Sequence, residues 1–199
     1  MVPTHITIFD YDDTILPSSW LTCIFSAREE LSQDMVEKLK KVDQTASTLL
    51  REALKYSTVI IVTNAEEGWV EYSSRLFLPT VFGLLHYVTV RSARSRYAAR
   101  FPEESGAWKK MTFSDELDPL WDHNGSVSVL SIGDSLLERD AVFSYEAANS
   151  GVIAKSIKMI DVPNPTQLSM QQQLICRDLY KMVASVKKLD LKLTAQSSV

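Results

Sequence analysis

The sequence predicts an α/β protein of three layers, in which helices cover both faces of a mainly parallel sheet of about five strands. Short apolar, β-branched runs alternate along the chain with longer stretches whose apolar residues recur at three- and four-residue steps. The connections between them are short, as in sheets built by repeated strand–helix crossovers. Each strand-like run also ends in a polar cluster, and open parallel sheets bind ligands outside the carboxyl ends of their strands.

The first strand is Ile6-Thr7-Ile8-Phe9, followed by Asp10-Tyr11-Asp12-Asp13-Thr14. Alternate residues of a strand point the same way, so Asp10 and Asp12 are expected on one side. Asp13 and Thr14 read as turn or capping residues. Pro17 enforces a turn before a long helical stretch from about Arg28 to Tyr56, one helix or two with a bend, with Leu31, Met35, Leu39, Val42, Ala46, Leu49, Leu50 and Ala53 inward.

Thr58 to Val62 is continuously apolar, which suits a strand covered on both faces, and it ends in Thr63-Asn64-Ala65. A helix is expected from Glu66 through Leu76, with Trp69, Val70, Tyr72 and Leu76 on its apolar side, stopped by Pro79. His86 to Val90 reads as a third strand. The arginine-rich run of Arg91, Arg94 and Arg96 follows, either a solvated face or a phosphate-attracting patch. Ala107 to Phe113 is a short helix, and Glu116 to Gly125 a loop ending in the turn pair Asn124-Gly125. Val127 to Ile132 is the fourth strand, ending in Gly133-Asp134-Ser135 with Glu138 and Asp140 beyond. A helix over Leu136–Asn149 leads to a fifth strand, Gly151 to Lys155. The last helix is expected to bury Leu168, Leu174, Ile175, Leu179, Met182, Val183 and Val186. Residues 1–193 thus read as one domain, and 194–199 as a flexible tail.

With 199 residues and 45% hydrophobic content the chain can bury a sizeable core. A net charge of −4 lacks the broad basic excess of a nucleic-acid binder. Cys23 and Cys176 stand far apart, in no disulfide framework or zinc-ligand spacing. The chain opens straight into a strand, and no apolar run suffices to span a bilayer, so a soluble cytoplasmic protein is expected.

The polar strand ends resemble the four motifs of the haloacid dehalogenase (HAD) superfamily, in order and across nearly the whole chain. Asp10-Tyr11-Asp12-Asp13-Thr14 is similar to its Asp-x-Asp-x-Thr motif, and Val62-Thr63-Asn64 to its strand ending in Thr or Ser. Lys109 or Lys110 supplies its lysine, and Gly133-Asp134 with Glu138 its acidic fourth motif. The resemblance implies a HAD-like Rossmannoid fold and a Mg²⁺-dependent phosphatase. Asp10 would attack phosphorus to give an aspartyl-phosphate, and Asp12 would move protons as general acid and base. Mg²⁺ takes hard oxygen ligands, expected from Asp10, the backbone carbonyl of Asp12 and Asp134, with Glu138 or Asp140 in support. Thr63 and Asn64 would hold phosphoryl oxygens. Lys109 is preferred to Lys110 because it lies one helical turn before Phe113, a core anchor on the same side. Asp12 sets the chain apart from dehalogenases, which lack the second aspartate.

Family members owe substrate choice to an inserted cap, and here no segment is left over for a full cap domain. The resemblance therefore implies a bulky or macromolecular phosphate, such as a phosphoprotein. Trp20, Leu21 and Phe25 in the short flap, and Arg94 beyond the third strand, are the candidate substrate contacts. The alternative is a catalytically inactive phosphoprotein-binding module or scaffold, for which the terminal Ser197-Ser198-Val199, similar to a PDZ-domain ligand, is the one cue.

Overall fold

Residues 4–121 and 125–194 are described by a computed structural model. Six parallel strands run in the order β3-β2-β1-β4-β5-β6, with β1 Thr4–Phe9, β2 Thr58–Thr63, β3 Thr89–Ser92, β4 Val127–Gly133, β5 Val152–Lys158 and β6 Leu189–Lys192. Eight helices accompany them: α1 Ser18–Ser26, α2 Gln33–Tyr56, α3 Trp69–Phe77, α4 Pro79–Phe82, α5 Ala93–Tyr97, α6 Ser105–Leu117, α7 Leu136–Ala148 and α8 Pro165–Ala184. Short 3₁₀ turns occupy Leu85–Tyr87 and Asp118–Leu120.

Alternate residues of the central strands divide the core in two. On one face Phe9, Ile61, Leu130 and Ile132 pack against Leu49 and Leu50 of α2 and Leu179 of α8. On the other, Ile8, Val62 and Val129 meet Phe113 of α6 and Val142 of α7. Burial on both faces is what the unbroken apolar run of β2 requires, and β4 is buried throughout although it carries Ser128 and Ser131. The three-layer α/β/α architecture is therefore present, and among the described residues no separate cap domain accompanies it. No helix among them is long and apolar enough to cross a membrane.

Several boundaries depart from the sequence reading. The sheet has six strands rather than about five: Leu189-Asp190-Leu191-Lys192 pairs with Lys155–Lys158. Half of those four residues are charged and the strand lies at an edge, so no apolar run announces it. The flap forms a helix of its own, α1. Arg28 then takes a left-handed φ of 57°, and α2 starts afresh at Gln33, where the Ser32 hydroxyl accepts from the Met35 amide. Helix α3 begins at Trp69 rather than Glu66, because Gly68 (φ 85°) turns the chain into it. Tyr72 and Leu76 are exposed, not core, as are Leu174 and Val186 near the C-terminus. β3 lies at Thr89–Ser92, later than His86–Val90, and so includes Arg91. The Asn124-Gly125 turn and the Ser197-Ser198-Val199 terminus involve positions outside the described residues.

Strand order reverses between β1 and β4: from β1 the chain adds β2 and β3 on one side, then crosses to add β4, β5 and β6 on the other. Phe9 is in register with Ile132, and the Asp10 amide donates to the Ile132 carbonyl at 2.9 Å. The polar ends of β1 and β4 therefore flank the switch point, where such sheets form their crevice.

Candidate active site

The turn after β1 separates its side chains by alternation. Tyr11 faces inward, fully buried, with its hydroxyl hydrogen-bonded to the hydroxyls of Ser73 and Ser74 on α3. Burial pushes its pKa up to about 12. Its carbonyl accepts from the amides of Ile15 (2.8 Å) and Leu16 (3.1 Å), while Leu16 returns its carbonyl to the Asp13 amide (2.7 Å). The carbonyl of Asp12 takes no part in this bridge. Asp13 adopts a left-handed φ of 54°, and its Oδ1 accepts from the Ser19 amide at 3.0 Å, tying α1 to the turn.

Asp10 is buried, and its Oδ1 accepts from Lys109 Nζ at 2.6 Å. The same ammonium donates to Glu138 Oε1. Lys110, the competing lysine, is exposed. Glu138 Oε2 accepts from the Ser135 amide (3.0 Å) and hydroxyl (2.7 Å), forming a capping box at the start of α7. Gly133 makes room for that arrangement: a Cβ there would stand 2.4 Å from Glu138 Cγ. Asp140 is exposed and paired with Arg139 at 3.3 Å, away from the cluster.

Carboxylate oxygens of Asp10, Asp134 and Glu138 all lie within 4.8 Å of one another. Burial pushes Asp10 well above the usual carboxylate range, against the pull of Lys109. Burial, then repulsion from Glu138 and Asp13, pushes Asp134 up to about 6. Glu138 is held below the ordinary glutamate range, because Lys109 and Ser135 outweigh the cost of its burial. Burial disfavours the Lys109 ammonium too, but Asp10 and Glu138 prevail and raise its pKa. Three carboxylates thus gather beside the Lys109 ammonium, which bonds two of them. A divalent cation with a preference for oxygen fits such a donor set, since it would offset the repulsion that raises Asp10 and Asp134.

Asp12, half-buried, is gripped at both oxygens. Thr63 donates its hydroxyl to Oδ2 at 2.9 Å, and the indole Nε1–H of Trp69 donates to Oδ1 at 3.0 Å. Thr63 in turn accepts from the Ala65 amide at 2.9 Å. Asn64 reaches across to the Ser105 carbonyl at 3.4 Å, and its own Oδ1 is buried without a partner among the described residues. Beside Thr63 lies a cleft of about 150 Å³, walled by Gly68, Glu71, Arg91 and Ser95.

Of the residues singled out in the sequence, Asp10, Lys109, Asp134 and Glu138 come into one cluster, and Asp12 meets Thr63. Arg94 is half-exposed and ion-paired with Glu66 at 3.1 Å, while Arg91 and Arg96 pair with Glu116 at 2.7 and 2.8 Å. In the flap, Leu21 is buried, Trp20 is partly buried against the core, and exposed Phe25 has its ring 6.0 Å from that of Phe77.

Sequence reasoning missed two residues here. Trp69 reads only as an apolar-face helix residue. Lys158, buried at the end of β5, donates to the backbone carbonyl of Asp134, to that of Met159 (3.0 Å) and to Asp161 (2.5 Å). The sequence reading ends the fifth strand at Lys155, short of the end of β5 at Lys158, so this lysine is not marked there as a strand-end residue. No protein-family model, curated protein or solved structure matches this chain.

Proposed function

We propose that the protein is a Mg²⁺-dependent phosphomonoester hydrolase of the HAD type. One observation carries the reading: a buried lysine bonds the first aspartate of Asp-x-Asp-x-Thr within a three-carboxylate cluster at the switch point of a parallel sheet. Asp10, Asp134 and the carbonyl of Asp12 would hold the ion, which when bound draws negative charge off the phosphoryl group. Both oxygens of Glu138 already have protein partners, so its part is chiefly to hold Lys109 and the turn at Asp134.

The Asp10 carboxylate attacks phosphorus, and the bond to the leaving oxygen breaks as Asp12 gives that oxygen its proton. Asp12, now ionised, takes a proton from water. The hydroxide attacks the aspartyl-phosphate, the phosphorus–Asp10 bond breaks, and inorganic phosphate leaves. Lys109 offsets the charge of Asp10 through both displacements. Thr63 and Asn64 are assigned to the phosphoryl group, with the Thr63 hydroxyl spent on Asp12 until substrate arrives. Arg94 is already matched by Glu66 and receives no role in the step.

With no cap domain among the described residues, the site suits a phosphate carried on a bulky molecule, a phosphoprotein among them. A reducing, cytoplasmic setting belongs to the same reading and rests on the two free cysteines. Hydrolysis of p-nitrophenyl phosphate tests the proposal. Activity should require Mg²⁺, vanish with EDTA, and fall at least about 10³-fold in Asp10→Asn. A purified, folded protein inactive toward aryl, serine and protein phosphates in Mg²⁺ would instead favour the inactive binding module.

A further inference from the structure

We infer that Trp69 is a positioning residue for proton transfer, fixing which oxygen of Asp12 carries the proton to the leaving group; the inference rests on the hydrolase reading above. A carboxylate at a strand end rotates freely unless both its oxygens are engaged. Here each has one donor, from a different part of the chain: Thr63 at the end of β2 and Trp69 at the first position of α3. Their chemistry is unequal. A hydroxyl can give or accept a hydrogen bond, whereas an indole N–H can only give one. Trp69 therefore bonds the bare oxygen, Oδ1, and leaves the transferable proton on Oδ2. Thr63 can accommodate either protonation state of Oδ2 by turning its hydroxyl.

The indole is well placed to hold this geometry. Its ring is partly buried against the core beside β1, and Tyr72, one turn along α3, has its ring 6.5 Å away. The left-handed Gly68 sets the start of the helix, and Trp69 packs against the core cluster that holds Phe9 and Ile61, whereas Phe113 of the Lys109 helix, α6, belongs to the other. Nothing else in the described structure bonds Oδ1 of Asp12. Losing this one N–H should leave the nucleophile and the ion site in place while misdirecting the acid.

Leaving groups report the difference. A weakly basic phenol departs with little help, whereas a more basic one depends on protonation by a correctly aimed acid. The experiment measures kcat/KM, which covers steps through phosphoryl transfer to Asp10, for a series from p-nitrophenyl phosphate to phenyl phosphate. It compares wild type with Trp69→Phe. A second variant carries benzothienylalanine at position 69, an isostere of tryptophan without the N–H, so that packing is kept even if phenylalanine disturbs it. The ratio of kcat/KM for p-nitrophenyl over phenyl phosphate should rise about tenfold in both variants, a fraction of the full general-acid contribution. An unchanged ratio in the isostere variant, whatever happens to absolute rates, would overturn the inference while leaving the hydrolase reading intact. If folded wild type in Mg²⁺ hydrolyses neither these esters nor serine and protein phosphates, the hydrolase reading fails and takes this inference with it.

Discussion

Lys109 and Glu138 reach the site from different helices, α6 and α7, and each holds the other in place. The choice of Lys109 over Lys110 was legible because a helix puts residues four apart on one face, and buried Phe113 fixes which face that is. Asp12's second partner was not legible, because no sequence spacing relates Trp69 to a strand end 57 residues earlier. Lys155 presents a different residue-scale case. It is buried in β5, donates to the carbonyls of Met182 and Val183 at the end of α8, and has no carboxylate partner among the described residues. Burial lowers its pKa from the ordinary 10.5 to about 8. Between those values the unfolded chain binds the extra proton, so this group makes stability rise with pH across that window and adds no slope below it. Urea unfolding at pH 8, 9 and 10 should give a smaller rise in Lys155→Met than in wild type; parallel pH profiles would contradict the assignment.

At the scale of elements, the turn after β1 is clamped by helices rather than by its own sequence. On α8, Gln172 accepts from Thr45 of α2 at 2.5 Å and donates to the Thr14 carbonyl at 3.0 Å, so the α2–α8 pair reaches the turn after β1 directly. Asp43 of α2 does similar work for α4. Its two oxygens accept from the Thr80 and Val81 amides, each at 3.0 Å, capping a four-residue helix that has no cap of its own. Asp43→Ala should lower unfolding stability by about 1–3 kcal/mol, by removing the cap and leaving two amides without it. The denaturation midpoint should shift with little change in m-value; an unchanged midpoint would show that α4 does not depend on the cap. Asp43 lies amid a run read simply as amphipathic helix, and only its burial marks it out.

The whole molecule places its site by topology. Asp10 and Asp134 are 124 positions apart in the chain yet adjacent in space, because β1 and β4 are hydrogen-bonded neighbours across the reversal of strand order. The sheet's far edge is closed by β6, whose Asp190 also pairs with Arg139 of α7 at 2.6 Å. Ending the chain after Lys188 would expose the edge of β5, a longer and largely buried strand, to solvent and to other chains. Such a truncation should lower the melting temperature by about 4–8 °C if about 2 kcal/mol is lost, and should promote self-association visible by light scattering. A monomeric truncation with an unchanged melting temperature would show that β6 contributes nothing to the sheet.

By itself, the sequence determined the α/β class, the buried character of β2, the polar strand ends and the pairing of Lys109 with Phe113's face. These are local matters of periodicity and side-chain chemistry, readable within one element. Tertiary structure alone decided that six strands form the sheet and that Trp69, rather than a residue of the motif itself, takes the second oxygen of Asp12. It also decided that Lys158 holds the Asp134 carbonyl and that Arg94 faces Glu66. Each depends on the register of one element against another, and burial energy spread over the whole core sets that register, leaving no trace in the spacing of any single stretch.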